Sequence, residues 1–315
     1  MSGDRDKPAV LLLAHGSPDS PLDVPEFLRN ITGGRALPPA TIDEVTHRYS
    51  LIGRSPLTDI TLAQATGVSR LMSLPVYVGM RNWKPFVADA LEQMARDGIT
   101  RAVVICLAPQ NSRTSVGLYR KSVMGTRNET VFPMDFVESW HDHPMLVRAF
   151  AENLSAGWER ACAETGRRVP VIFTAHSVPE RTISEGDPYE QQAKQTATLV
   201  AEQVSLRPED WAFAFQSQGM SGGAWLGPKV EETILQLKAA GHAGVFVQPI
   251  GFLCDHVEIL YDIDIAFQEF AGKQGMRLWR AESLNESPLL LEAIADIART
   301  RLAAMQIEER SASRS

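Results

Sequence analysis

The sequence predicts an α/β protein of two halves, each a parallel sheet flanked by helices. Three observations carry that expectation. Short apolar runs without alternation occupy residues 8–14, 101–107, 169–175 and 244–247, the pattern of strands buried on both faces. Helical spacings and brief Gly/Pro turns separate such runs, so strand, helix and strand succeed one another as in βαβ units. The end of the first run, Ala14-His15-Gly16-Ser17-Pro18, is laid out like Ala175-His176-Ser177-Val178-Pro179. That echo suits two similarly built lobes, each with a histidine at a strand's C-terminal end.

Length and composition agree with this. A chain of 315 residues, 44% hydrophobic and 22% charged, buries a sizeable core and suits a soluble protein of about two domains. A net charge of −7 without any dense Lys/Arg block excludes nucleic acid as a natural partner. Cys106, Cys162 and Cys254 are too scattered for a disulfide framework or a CxxC metal site and suit a reducing, cytoplasmic setting. The polar start leads into an apolar run too short for a signal peptide or a membrane span.

In order, the strand at 8–14 stops at the turn His15-Gly16-Ser17-Pro18. A lone histidine there is a hydrogen-bonded turn residue or a ligand, and position alone favours the former. A short helix is expected over 23–29. A second, over 41–51, has Thr41 as N-cap and Glu44 closing a capping box. It delivers His47, Arg48 and Tyr49 to the loop Gly53-Arg54-Ser55-Pro56-Leu57, which suits an anionic group but reads equally as an ordinary turn. A helix over 58–67, a strand over 71–78, a helix over 86–97, a strand over 101–107 and a helix through Tyr119 follow. No GxGxxG or GxxxxGK[ST] succeeds any strand, which argues against dinucleotide and Walker-type phosphate sites.

A short strand over 131–136 leads to Trp140-His141-Asp142-His143-Pro144, where Pro144 favours a helix cap over a metal pair. The helix over 144–163 carries the crossover, so the domains read as 1–145 and 146–286, with a C-terminal helix over 287–305 packing back on the first lobe. The second lobe repeats the pattern: strands over 169–175, 212–217, 244–247 and 276–279, and helices over 189–204 and 230–240. The charged, Ser-rich tail over 306–315 is expected to be disordered.

The chemistry concentrates where the strand over 244–247 breaks at Pro249 and Gly251 and becomes a helix bearing Asp255, Glu258 and Asp262. Spacings of three and four align these acids on one helical face, at the end of a strand where open α/β proteins hold ligands. A solvated acidic helix face is the plainer alternative. His176 ends another strand of the same lobe, and a His with a carboxylate serves as a general base or as an exchangeable ligand for a borderline divalent metal. No third ligand with fixed spacing appears, which excludes a closed zinc site.

At these residues the sequence resembles the ferrochelatases, over about residues 9–305. The resemblance lies in Thr174-Ala175-His176-Ser177-Val178-Pro179, in the segment 251–264 around Glu258, in Phe215-Gln216-Ser217 with Trp225-Leu226-Gly227-Pro228, in Ser55-Pro56-Leu57 and in Tyr77-Val78-Gly79-Met80-Arg81. It implies a metal-inserting lyase of haem biosynthesis with two Rossmann-like, chelatase-like lobes that hold a porphyrin while Fe2+ enters it. By resemblance His176 and Glu258 are the catalytic pair and the metal ligands, with His176 the proton acceptor and Glu258 its partner, and Asp262 is an accessory proton or metal path. Asp255 is read as the helix N-cap.

The short segment between His15 and Ser55 resembles that of the coproporphyrin ferrochelatases, with His15, Arg48, Tyr49, Ser55 and Tyr119 as porphyrin contacts. The resemblance implies a cytoplasmic monomer that uses Fe2+ as substrate, without an iron–sulfur cluster or a membrane segment. Several positions depart from the family. His15 replaces an axial tyrosine, the Gly53–Leu57 loop is one residue shorter, Ala266 replaces an outer acid, and Asn82 stands where an outer histidine occurs. Rival readings are a protoporphyrin IX ferrochelatase and a non-catalytic haem carrier ligating through His15.

Overall fold

The computed structural model describes residues 6–126, 132–219 and 223–312. Two parallel four-stranded sheets organise them. The first holds β1 (Pro8–Ala14), β2 (Val76–Met80), β3 (Arg101–Cys106) and β4 (Met134–Val137) in the order β2-β1-β3-β4. The second holds β5 (Val171–His176), β6 (Trp211–Gln216), β7 (Gly244–Pro249) and β8 (Arg277–Arg280) in the order β6-β5-β7-β8. Each sheet therefore reverses direction beside its first strand, and a crevice opens past the strand ends at such a switch point. His15 follows β1 and His176 ends β5, so both histidines stand at switch points.

Alternation along the strands explains how the lobes are joined. Val10 and Leu12 of β1 face one way, with Val171 and Phe173 of β5, into a core shared by both sheets. That core is filled by α6 (Pro144–Thr165) and α12 (Pro288–Ala312), through Leu146, Phe150, Leu154 and Ile294. Gly157 of α6 lies against Phe246 of β7 so closely that a Cβ there would sit 2.7 Å from the ring. Leu11 and Leu13 face the outer side under α4 (Val87–Arg96), and Val245 and Val247 face the outer side under α9 (Val230–Ala239). The shared core seats the two sheets against each other and holds their crevices together.

The other helices are α1 (Val24–Ile31), α2 (Pro39–Ile52), α3 (Leu57–Met72), α5 (Val116–Thr126), α7 (Glu180–Ser184), α8 (Tyr189–Gln203), α10 (Val257–Leu260) and α11 (Gln268–Lys273). A π-helical segment, Asp262–Phe267, joins α10 to α11. None of the described helices is long and apolar enough to cross a membrane. The α12 helix packs on α3 and β3 of the first lobe as well as on α6.

Several local expectations are corrected. The α2 helix starts at Pro39, whose missing N–H costs nothing at that position, so Thr41 caps nothing and Glu44 pairs with Arg48 instead. Leu71 and Met72 finish α3 rather than begin a strand; Ser73, in the left-handed region at φ 53°, ends the helix. β4 begins at Met134, because Pro133 has no N–H for the ladder; Val131 lies outside the described residues. The helix α12 continues through Ala312, with good helix formers such as Gln306 and Glu308, where the sequence suggests a disordered tail from 306. Residues 313–315 lie outside the description, as do 220–222 before Trp225.

Candidate active site

The second lobe supplies the chemistry. His176 is the last residue of β5, and the chain after β7 turns through Gly251 to reach α10. A Cβ on Gly251 would lie 3.0 Å from both Cα and Cβ of Ala175, so only glycine lets this loop pass so near the histidine strand. Gln216, the end of β6, is buried and accepts from the Thr174 hydroxyl at 2.6 Å while its amide donates to the Glu258 carbonyl at 3.0 Å. α10 is thereby fastened to the strand beside His176. His176 Nε2 lies 3.4 Å from Glu258 Oε1, and both side chains keep about a third of their surface exposed, 34% and 30%.

The proton positions follow from the partners. His176 Nδ1 faces the Ser177 carbonyl, which only accepts, so the neutral ring carries its proton on Nδ1 and presents the Nε2 lone pair to the cleft. The Tyr189 hydroxyl donates to the His176 carbonyl at 2.9 Å. Enclosure works to lower the His176 pKa, but the charge and hydrogen bond of Glu258 outweigh it and the net shift is upward. Glu258 is enclosed as well; His176 and His256, the latter with Nε2 at 3.6 Å from Oε2, reverse the effect and hold the carboxylate well below its usual range. The His256 ring is fixed by the Cys254 carbonyl at 3.0 Å and by Phe252.

The acidic row is shorter than its spacing suggested. Asp255 is no helix cap: it precedes α10 and its carboxylate receives Ser283 Oγ at 2.7 Å, Asn285 Nδ2 at 2.9 Å and Arg280 Nη2 at 3.3 Å. Only Glu258 and Asp262 face the cleft together. Asp262 accepts from Ser217 Oγ and meets Arg48 Nη1 at 3.5 Å. Burial first, then the Glu258 charge, raise its pKa to about 6.

The first lobe closes the site. Arg48 reaches across from α2 to Asp262 and stands 5.0 Å over the Tyr261 ring. Tyr49 is buried in a small apolar cluster with Phe27 and Trp83, against Val257 of the second lobe; its hydroxyl accepts from Ser17 at 3.4 Å and burial pushes its pKa up to about 12. Ser55 is also buried, and its Oγ is 3.5 Å from the Leu57 amide. Tyr119 is buried beneath the Arg81 guanidinium, at 5.7 Å.

His15 has both ring nitrogens engaged, Nδ1 with the Gly16 carbonyl at 3.1 Å and Nε2 with the Asn82 amide at 2.9 Å. Gly16 has φ 83°, and a Cβ on it would meet the Trp83 backbone at 2.8 Å. His15 is exposed at the cleft; desolvation first, then the Arg81 charge, lower its pKa to about 4, toward neutral imidazole. The pair His141 and His143 holds no metal site: His141 bonds Ser139 and Gln195, and His143 precedes Pro144 at the start of α6 and meets Asp296 at 3.2 Å.

Glu258 is thus the electrostatic centre of the cleft, its charge acting on His15, Tyr49, Tyr119, His176, Tyr189 and Asp262. The sequence reading missed Gln216, Tyr189 and His256 as supports of the pair. Gln216 and His256 lie inside the quoted motifs and Tyr189 starts the helix over 189–204, but only the fold shows which way they turn. A base with one free lone pair beside a carboxylate suits proton removal and brief metal ligation, not permanent metal storage. Among the described residues no group of three or more His, Cys, Asp or Glu is arranged to hold a metal ion.

The chain matches the Ferrochelatase family model over residues 7–302. A ferrochelatase of Acidobacterium capsulatum is 52% identical, over 97% of this chain and 98% of that protein. A coproporphyrin III ferrochelatase of a Geobacillus species is 32% identical, over 95% of this chain and 99% of that protein. Among solved structures, SirB from Bacillus subtilis with Fe3+ shares the fold with a TM-score of 0.58 at 13% identity, covering 93% of this chain and 94% of that one.

Proposed function

This chain belongs to the ferrochelatase family, enzymes that insert iron into a porphyrin, and from that premise we propose that it metallates coproporphyrin III with His176 as base and Glu258 as its partner. The observation that carries the reading is the 3.4 Å approach of His176 Nε2 to Glu258 Oε1 at a switch point, with Nδ1 already committed to a carbonyl. A porphyrin must lose its two inner N–H protons to take a metal. His176 has one lone pair to offer, so it serves the iron and the protons in turn: as Fe2+ passes to the ring nitrogens, the freed Nε2 takes one of their two protons and passes it to Asp262 or solvent before taking the second. Glu258 then stabilises the imidazolium. Asp262, hydrogen-bonded to Ser217 and raised toward neutral pH, is suited to pass protons onward or to meet the incoming cation.

Coproporphyrin carries four carboxylates, and the donors Arg48, Tyr49, Ser55 and Tyr119 are those the family resemblance assigns to its edge. Support also comes from relatives from Geobacillus and Oceanobacillus that bear the name coproporphyrin III ferrochelatase, at 30–33% identity. The reading takes the enzyme to be a cytoplasmic monomer that uses Fe2+ as substrate rather than as a resident cofactor. A carrier ligating through His15 is disfavoured, because Asn82 already occupies the Nε2 lone pair.

The test is kcat/KM for anaerobic Fe2+ insertion into coproporphyrin III and protoporphyrin IX. A preference of about tenfold or more for coproporphyrin is expected, since each well-made charged hydrogen bond contributes about 1.5–3 kcal/mol. A preference for protoporphyrin would hand the substrate to the rival reading; insertion into neither would remove the function.

A further inference from the structure

Arg81 follows β2 at the first switch point, where its backbone N–H donates to the Ala14 carbonyl at 3.0 Å, and its side chain lies in the cleft. There the guanidinium spreads over the buried Tyr119 ring and acts electrostatically on His15. It is the cation of this site without a counter-charge: among the described residues no carboxylate pairs with it, and its buried Nε has no hydrogen-bond partner. Arg48 differs, being held by Glu44 at 3.0 Å and by Asp262 at 3.5 Å.

We propose that Arg81, with the Tyr119 phenol beneath it, is an anchor for a carboxylate of the porphyrin, at a point of the cleft separate from Arg48. The inference rests on the reading of the cleft as a porphyrin site and adds a specificity residue to it. A guanidinium fork matches a carboxylate bidentately, and the cation–π contact with the Tyr119 ring helps to hold it in the cleft. Burial keeps the Tyr119 phenol protonated and so a donor. Partner count decides which arginine contributes more. Arg48 already spends Nε on Glu44 and an Nη1 contact on Asp262, so a bound carboxylate shares it with two other acids and gains less. Arg81 gives up no ion pair, and its desolvation is already spent in the folded protein. A ring with carboxylates on all four pyrroles satisfies both arginines at once, whereas one with two adjacent carboxylates satisfies a single edge.

The experiment measures porphyrin Kd by absorbance titration for wild type, Arg81→Met, Arg81→Lys and Arg48→Met, using coproporphyrin III and its tetramethyl ester, with melting temperature as a folding check. Arg81→Met is expected to weaken coproporphyrin III binding by about 10- to 100-fold and to leave the ester within about threefold. Arg81→Lys should recover part of the loss, and Arg48→Met should lose less than Arg81→Met. Equal losses for acid and ester, or no loss for the acid, overturn the proposal while leaving the enzyme's function intact. A wild-type protein that binds neither ligand and inserts no iron overturns the porphyrin reading itself.

Discussion

Glu258→Gln keeps the shape of the pair and removes its charge. With Nε2 and Oε1 3.4 Å apart, the attraction between an imidazolium and the carboxylate is about 5 kcal/mol at an effective dielectric constant of 20. Both side chains keep about a third of their surface exposed, and solvent screening reduces the effective gain to about 1–2 kcal/mol. Removing it lowers the proton affinity of His176 by about 5- to 30-fold. His176 must be neutral to accept a proton, and its pKa stands above the ordinary 6.5 because Glu258 overcomes the effect of enclosure. In the wild type, kcat/KM should therefore rise with pH through a value above 6.5. In Glu258→Gln, enclosure acts unopposed and that acidic limb should move to lower pH while the plateau falls. The assay is kcat/KM for anaerobic iron insertion, measured from about pH 5 to 9. A limb that stays in place, or moves to higher pH, would refute the assignment of His176 as a base tuned by Glu258.

Asp262 gives a stability test. Its folded pKa, about 6, lies above the ordinary 3.8, so the folded state binds the proton more tightly and this contribution is present below about pH 4 and lost as pH rises through about 6. Asp262→Asn should flatten that part of the melting-temperature profile; parallel profiles for variant and wild type would contradict the raised pKa. Gly251→Ala puts a Cβ 3.0 Å from Ala175, with backbone on both sides and little room to yield. It should destabilise the protein by about 1–3 kcal/mol and reduce insertion by moving the Glu258 loop relative to His176, read by thermal melting and turnover. An unchanged melting temperature would mean that the close approach is not required.

The α/β pattern was legible because strands covered on both faces read as continuous apolar runs, and those of β1, β3, β5 and β7 are the most buried in their sheets. The nearness of His176 to Glu258 could be expected because His176 ends one strand and Glu258 follows the break after its neighbour. Boundaries decided by tertiary packing were not. Leu71 and Met72 look strand-like, but they finish a helix that packs on α12. Asp255 has the sequence of a cap, and its true partners, Arg280, Ser283 and Asn285, lie about thirty residues away. Helical spacing aligned Asp255, Glu258 and Asp262 on an unbroken helix, whereas the chain breaks into α10, a π-helical segment and α11. The engagement of His15 by Asn82, and the lack of an ion pair for Arg81 among the described residues, depend on the approach of separate strands, which spacing cannot express.

The central claim is that the Nε2 lone pair of His176 is what moves iron and protons between solvent and ring. It is tested most directly by mixing purified protein with coproporphyrin III and Fe2+ without oxygen and following the Soret band, for wild type and for His176→Ala. The wild type should convert the free-base spectrum to that of the iron porphyrin, and the variant should do so at least about 100-fold more slowly while still binding the porphyrin. Insertion by His176→Ala at the wild-type rate would contradict the account.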